Sequence, residues 1–549
     1  MNKQKPTLAI YGIQDRNDFE HPMYVHDHNL AIMQNGKVEK FMQLERVTRR
    51  KRDNHLHQHL TDVIKEQKMV NRDFDLVFVD NVVGRSFISS QGNIRFEAPL
   101  NNKLSADIEK GRCWWFDREM DAWVLNHELA HIFTCLPFFG NFKEDSLLVH
   151  FDGGASQSNF SAWTFRNNKI ELVENHWNLK YLTSMYNCNA LVFGIIGAKL
   201  HDQNAVPGKM MGLASFGKYS SKIEDWLIDN NWFEELWGKR NQFWEKAKID
   251  LGIEGKGFHT KNQFLQDVVA TMQHVFVRDF TQKLKDLQQQ TECKNLYLTG
   301  GCALNIVANS AIINQNIFEE VFIPPCTEDS GLALGAAAFM EWKKHGKVYP
   351  HSPYLNNWNL ENSSFDIDDA EIEKIAELLY EEKVIAVCNG NGEAGPRALG
   401  NRSILALANS KQLAQKVSIT HKGREWYRPV APILLEEEAK YFTGLETIHP
   451  LAQYMLLDFD IIPERQTEMA GTVHVNGTAR CQVIFNDEEN PFIYHLLQKL
   501  KQKYNIRALI NTSFNKRGEP IVHNSEGAID SAKNLGIDGV IIDGKLKLF

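Results

Sequence analysis

No Cys-x-x-Cys pair occurs in the sequence; its eight cysteines lie scattered from Cys113 to Cys481. That argues against thiolate zinc sites and thioredoxin-like redox chemistry, and predicts free thiols that are mostly buried. No apolar run reaches membrane-spanning length, and Met1 to Pro6 leads into a short strand rather than a secretory apolar region, so a cytoplasmic protein is expected. There is no short-period repeat and no low-complexity tract. An excess of positive charge is also missing: the net charge is −8, which disfavours a dedicated nucleic-acid binder. What remains is ordinary for a globular chain, with 43% hydrophobic and 24% charged residues, and 549 residues is too long for one core.

The stretch Asn295 to Gly335 organises the rest. The apolar run Leu296-Tyr297-Leu298 enters Thr299-Gly300-Gly301-Cys302-Ala303-Leu304-Asn305 and then helix-forming residues. A glycine pair between strand and helix lets backbone N–H groups approach a phosphate at the positive end of a helix dipole. A second unit repeats the logic: Val321 to Ile323 reads as a strand, Pro324-Pro325 stops it, and Asp329-Ser330-Gly331 is expected to cap a small-residue helix.

Earlier, Leu8 to Ile13 reads as a strand, and Leu30 to Met33 with Val38 to Phe41 as a hairpin around Asn35-Gly36. An amphipathic helix near Leu56 to Met69 and a strand Leu76 to Asp80 follow. Leu147 to Gly154, Ala162 to Phe165 and Ile170 to Val173, across Asn167-Asn168, echo that order. A duplicated α/β core of this kind closes a nucleotide between its halves. Ile223 to Gly257 reads as a helical insertion, and Phe264 to Leu287 as a long helix. Gly346 to Ser364 reads as a surface linker, after which a helix near Asp369 to Glu382 and a strand Val384 to Val387 open a further α/β unit. The basic run Arg46 to Arg52 reads as a solvated loop, with an anion site as the alternative.

His127-Glu128-Leu129-Ala130-His131 spells the zinc-protease signature, and Trp123 to Phe133 look helical. Histidines at i and i+4 share a helix face and can share a metal, but the metzincin continuation is absent. Gly390-Asn391-Gly392-Glu393-Ala394-Gly395 fits a dinucleotide fingerprint, yet Pro396 and Gly400 break the helix it requires, so NAD is discounted. Cations beside glycine turns in the last third are Arg397 and Arg402 within Gly395 to Ser403, Lys422, Arg424 and Arg428, and Arg480 in His474 to Arg480. With Ile510 to Asn515 they point to an anionic, phosphorylated ligand.

With those segments in hand, and adding His26-Asp27, Glu45-Arg46, Asp152-Gly153 and Gly208 to Ala214, the chain resembles the NodU/CmcH family of O-carbamoyltransferases. That family decorates nodulation factors, cephems and aminoglycosides. The matching segments cover nearly the whole length in order. The resemblance implies an α/β protein: an actin-like ATPase (ASKHA) duplicated domain over 1–345 with a helical insertion at about 223–290, a linker over 346–365, and a YrdC-like domain over 366–549. It implies that carbamoyl phosphate and ATP give carbamoyl-adenylate in the C-terminal domain, and that the carbamoyl group then passes to a small-molecule hydroxyl, on a sugar or natural product. The implied metal ligands are His127, His131 and Asp329, holding a divalent ion of the iron type, with Mn2+ and Zn2+ also open. Lys422, Arg428 and Arg480 are implied to clamp phosphates and carbamoyl group, and His26 with Asp27 to orient or deprotonate the acceptor. Nucleotide contacts are implied for Asp152, Gly153, Lys209, Gly300, Gly301, Asn305, Gly331, Arg397, Asn401, Arg402, Asn511, Ser513 and Asn515. Departures fall at Gly154-Ala155-Ser156, where a Glu is expected at the loop end, at His28-Asn29, and at Ala394 in place of an aromatic; they bear on the acceptor more than on the reaction. Two other readings stay open, a zinc metallopeptidase and a non-catalytic nucleotide-binding module related to tRNA modification. The oligomeric state, a homodimer among the options, also stays open.

Overall fold

Three sheets carry the architecture of the computed structural model, which describes residues 5–13, 25–101, 103–187, 196, 204–235, 240–255, 259–360 and 365–549. The first sheet takes β1 (Thr7–Tyr11), β2 (Asn29–Gln34), β3 (Lys37–Gln43), β4 (Asp75–Val79), β5 (Ser86–Ile88), β6 (Ile94–Glu97), β7 (Glu109–Trp115) and β8 (Arg118–Leu125) in the order β3-β2-β1-β4-β8-β7-β6-β5. β1, β4 and β8 run parallel, β1 to β3 form a meander, and β5 to β7 extend the sheet beyond β8. The second sheet takes β9 (Ser146–Phe151), β10 (Phe160–Arg166), β11 (Lys169–His176), β12 (Asn295–Thr299) and β13 (Glu320–Phe322) in the order β11-β10-β9-β12-β13. Meander and parallel pairs recur in the same places, so the predicted duplication is present.

Local signals explain most of this. Asn35 and Gly36, at φ +52° and +73°, form the first hairpin turn, and Asn167 and Asn168, at +52° and +57°, the second. Asn side chains cap the helices His127–Phe133, Gln263–Thr291 and Ile306–Asn314. The helix Leu332–His345 lies between the two sheets, buried along Leu332 to Met340. Gly335 lets it touch the helix His127–Phe133, because a Cβ there would sit 1.8 Å from the carbonyl oxygen of Ala130.

The third sheet uses β14 (Ile385–Cys388), β15 (Arg402–Leu407), β16 (Ala431–Leu435), β19 (Gln482–Ile484), β20 (Leu509–Ser513), β21 (Gly539–Ile542) and β22 (Lys545–Leu548), with β17 (Phe459–Asp460) and β18 (Thr478–Ala479) as a separate pair. Its strands run in both directions, with helices Asp369–Tyr380, Pro491–Tyr504 and Ser525–Leu535 packed alongside. The whole is an α/β protein. The insertion is helical at Ser221–Asp229, Trp232–Glu235 and Arg240–Leu251; its expected end at Gly257 lies outside the described residues, as do Met1 to Gln4 and Ser364. No helix among the described residues is long and apolar enough to cross a membrane. The seven described cysteines are free and six are buried.

Three expectations fail, one of them only in part. Trp123 to Leu125 belong to β8, and the helix starts only after Asn126, because an apolar run carries no period that tells a buried strand from a buried helix. The segment expected as a surface linker is one only in its first part, where Gly346, Lys347, Tyr349, Pro350 and Ser352 are exposed; further on Leu355, Asn356 and Trp358 are buried, and Asn356 bridges Gln43 and Gly392. The basic run is not a solvated loop. Arg46 is buried with Nη2 donating to Gly395 at 2.8 Å, and Arg49 donates to Ile521 and Pro520.

Candidate active site

His127 and His131 project from one face of their short helix toward Asp329, which follows the Pro324-Pro325 stop after β13. His127 Nε2 lies 3.0 Å from His131 Nε2 and 3.4 Å from Asp329 Oδ1, and His131 Nε2 lies 3.3 Å from the same oxygen. All three residues are buried. Atoms so spaced can all lie about 2.1 Å from one point, the reach of a divalent-metal ligand. His131 Nδ1–H donates to the Thr327 carbonyl at 3.1 Å, which leaves Nε2 as a lone-pair donor facing Asp329. Two imidazoles and one carboxylate therefore fit an ion with open positions.

Asp329 does not cap the following helix as expected; Gly331 stands at the cap and supplies no side chain. The Asp329 carboxylate instead accepts from Tyr11 Oη at 2.8 Å, and Asn29 Nδ2 donates to its carbonyl at 2.9 Å. Burial would raise its pKa, but His26 and His127 hold it well below the usual carboxylate range. Glu128 is turned away. Its Oε1 accepts from the N–H groups of Gln157 and Ser158, so the metallopeptidase reading loses its base.

The glycine loops meet differently from the phosphate cradle expected. Asp152 directly follows β9, and its carboxylate accepts from the N–H groups of Gly153 and Gly301, spending donors reserved for a ligand. Gly300, at φ +92°, is required because a Cβ would lie 2.2 Å from the Phe151 carbonyl oxygen. Gly331 likewise packs against Cys326. Asn305 caps the helix Ile306–Asn314 and pairs with Gln273 at 3.0 Å.

In the C-terminal part, Lys422 Nζ donates to Asn515 O at 2.7 Å, to Asn515 Oδ1 at 2.9 Å, and to Ser513 O and Oγ. Arg397, Arg424, Arg428 and Arg480 surround it in the cavity wall. Burial, and then the neighbouring arginines, push Lys422 and Arg480 well below their ordinary pKa and Arg424 down to about 9. Glu425 faces this crowd, 3.1 Å from Lys209, 3.5 Å from Arg428 and 3.2 Å from Arg517, and Glu328 and Glu519 also line the wall and act on Arg397 and Lys422 respectively. Asn511 donates to Ala398 O at 3.1 Å. The Nε atoms of Arg397 and Arg480 are buried without a partner among the described residues.

Arg402 and Asn401 do not join. Every N–H of the Arg402 guanidinium goes to a backbone carbonyl, of Asn389, Gly390, Asn401 or His523, and Asn401 bonds Asn391 and Asn490. They hold the turn that presents Arg397.

One cavity of about 380 Å³ connects the two groups. Its wall takes in His26, Asp27, Asp152, Gly153, Gly301, Asn305 and Asp329 at one part, and Lys209, Arg397, Lys422, Arg428, Arg480, Asn511, Ser513 and Asn515 at another. His127, His131, Gly300 and Gly331 lie behind this wall. The lining also includes Glu45, which entered only as part of the matching segment Glu45-Arg46, and Lys51, Arg52, Glu328 and Glu425, which sequence reasoning did not place at the site; for Lys51 and Arg52 the basic run was the one signal. His26 Nδ1 is 2.9 Å from Asp27 Oδ2. Burial lowers the pKa of His26, but Asp329 and Asp27 more than offset this and bring it to about 9.

The family model described as carbamoyltransferase C-terminus matches residues 376–547, and the one described as carbamoyltransferase N-terminus matches residues 100–338. Nodulation protein NolNO of Sinorhizobium fredii is 25% identical over 567 residues, covering 95% of this chain and 79% of that protein. Nodulation protein U of Rhizobium tropici is 35% identical over 263 residues, covering 46% and 43%. A solved structure of full-length HypF in its phosphate- and nucleotide-bound form is similar over 62% of this chain and 55% of that one, at 11% identity and a TM-score of 0.34, a likeness too loose to carry weight. Matched by both halves of that family in order, the chain belongs to the carbamoyltransferases and is a transferase.

Proposed function

We propose that the chain is an ATP-dependent O-carbamoyltransferase that works through carbamoyl-adenylate. The observation that carries this reading is the shared cavity, with five crowded cations at one part and the His127–His131–Asp329 triad behind another. Lys422, Arg397, Arg424, Arg428 and Arg480 outnumber the carboxylates Glu328, Glu425 and Glu519 in the same wall, so a polyphosphate relieves the repulsion that remains.

The chemistry balances in three steps. Carbamoyl phosphate loses phosphate to water and leaves carbamate. A carbamate oxygen attacks the α-phosphorus of ATP and expels pyrophosphate. The acceptor hydroxyl oxygen then attacks the carbamoyl carbon, the bond from that carbon to the AMP oxygen breaks, and the hydroxyl proton passes to the departing AMP phosphate. The cationic wall holds the phosphates and stabilises the charge that grows on pyrophosphate. His26, held by Asp27, orients the acceptor oxygen, and the enclosed cavity keeps water from the mixed anhydride. A divalent ion held by His127, His131 and Asp329, of the iron type with manganese or zinc as alternatives, would polarise the carbamoyl oxygen. The acceptor is a small hydroxylated molecule.

Lys422→Ala or Arg480→Ala should abolish carbamoyl-phosphate-dependent pyrophosphate release from ATP, whereas His131→Ala should keep that release, lose bound metal and lose transfer. Equal loss of both activities in His131→Ala, with metal content unchanged, would overturn this division of labour.

A further inference from the structure

Segment 44–54 lies before β4 in the chain but is tied to the C-terminal part at two loops. Arg46 Nη2 donates to Gly395 O at 2.8 Å; Arg49 Nη1 donates to Ile521 O at 2.6 Å and Nη2 to Pro520 O at 3.0 Å. One guanidinium fork thus grips two successive carbonyls, the geometry that a planar, multi-donor group holds best. The loop so gripped carries Arg517 and Glu519, which line the cavity.

The segment is stiffened from within. Glu45 accepts from Lys51 Nζ at 3.2 Å and from the Arg52 N–H at 2.8 Å, and Thr48 Oγ1 donates to Asp53 at 2.6 Å. Arg49 and Arg52 have φ of +60° and +54°, where non-glycine residues rarely sit unless the surroundings demand it. Lys51 and Arg52 line the cavity, whose wall takes in Asp27 from one group of side chains and Lys422 from the other.

We propose that Arg49 is a positioning residue that shuts the passage between these groups, by seating loop 515–521 against Lys51 and Arg52 so that carbamoyl-adenylate crosses without meeting bulk water. This rests on the adenylate reading above. The step it suppresses is hydrolysis: a water oxygen bonds to the carbamoyl carbon, the bond to the AMP oxygen breaks, and AMP, carbamate and a proton leave.

The test gives the full chain ATP and carbamoyl phosphate with no acceptor and follows pyrophosphate. Wild type should release about one equivalent in a burst and then slow, because the adenylate is retained. Arg49→Ala should keep the burst and raise the subsequent rate roughly tenfold, with Arg49→Lys between the two. A merely structural role lowers burst and steady rate together, so that result, or rates identical to wild type, overturns the proposal while the adenylate reading stands. A wild type that releases no pyrophosphate sinks the reading itself and this proposal with it. Thermal unfolding of each variant separates a leak from misfolding: a leak with an unchanged midpoint supports the proposal, and a leak that appears only with a lowered midpoint counts against it.

Discussion

Glu128 Oε1 accepts the Gln157 N–H at 2.7 Å, in the loop that follows Asp152, although Glu128 stands between the two histidines of a protease-like signature. The same oxygen accepts from the Ser158 N–H at 3.1 Å and from Ser158 Oγ at 3.2 Å. Its task is to fix a loop, because side chains at i+1 leave a helix on a different face from those at i and i+4. Glu128→Gln is therefore expected to cost about 1–3 kcal/mol of stability, the range for weakening a buried charged hydrogen bond, while metal content stays at the wild-type level. Urea unfolding and metal analysis check this. Unchanged stability with lost metal would place Glu128 in the ion site instead.

Gly395 joins the two parts of the molecule more tightly than any side chain allows. At φ +98°, a Cβ would lie 2.3 Å from the Pro325 carbonyl oxygen and 3.0 Å from Cys326 Cα. Gly395→Ala must strain its own backbone and push apart segments that carry Arg397 and Asp329. A loss of about 2 kcal/mol or more is expected, read as a lower unfolding midpoint, together with at least a tenfold fall in transfer. A midpoint within a degree of wild type would show that the seam gives way easily.

Part of this architecture is legible in the sequence itself. Turn pairs such as Asn35-Gly36 act through local bonds that a sequence displays directly, whereas Asn126 caps a helix that the apolar run from Trp123 makes look longer. His127 and His131 declare a shared face by spacing alone, but Asp329 joins them only because β13 runs parallel to β12 and ends near them, a long-range fact that entered through family resemblance. Arg397 and Arg402 show the limit. They stand in one glycine-flanked motif, yet one lines the cavity and the other is spent on carbonyls, and nothing in residue type separates them. Arg46 and Arg49 fail for the same reason: a run of cations looks solvated until buried carbonyls are found opposite it.

His28 gives the acid side of the stability curve. It is fully buried, its Nδ1 accepts the Leu56 N–H at 3.3 Å, and burial lowers its pKa to about 3. The folded chain refuses a proton that the unfolded chain takes near pH 6.5, so below that pH the unfolded state binds more protons and stability falls as pH drops. One proton sets a slope of about 1.4 kcal/mol per pH unit. His28→Asn can keep an acceptor for Leu56 and has nothing to titrate. Between pH 6.5 and 4.5 wild type should lose about 2–3 kcal/mol relative to this variant, by denaturant unfolding at each pH. Parallel curves would mean that His28 takes its proton in the folded state.

Arg480 is expected to destabilise the protein that it equips for binding. Burial, and then Arg397, Arg424 and Arg428, depress its pKa well below the ordinary value, and its Nε lacks a partner among the described residues. For a base lowered in this way the penalty is present while the group is charged, which at neutral pH it is. Removing the charge but keeping an apolar stem, as in Arg480→Met, should raise the stability of the ligand-free protein by about 1 kcal/mol. Pyrophosphate should do the same for wild type by supplying countercharge, contributing about 2.7 kcal/mol at a hundred times its dissociation constant. The variant should lose most of that ligand-dependent shift. Differential scanning calorimetry with and without pyrophosphate decides the matter: a variant less stable than wild type when free, yet still stabilised in full by pyrophosphate, would mean that Arg480 packs the wall and does not bind the anion.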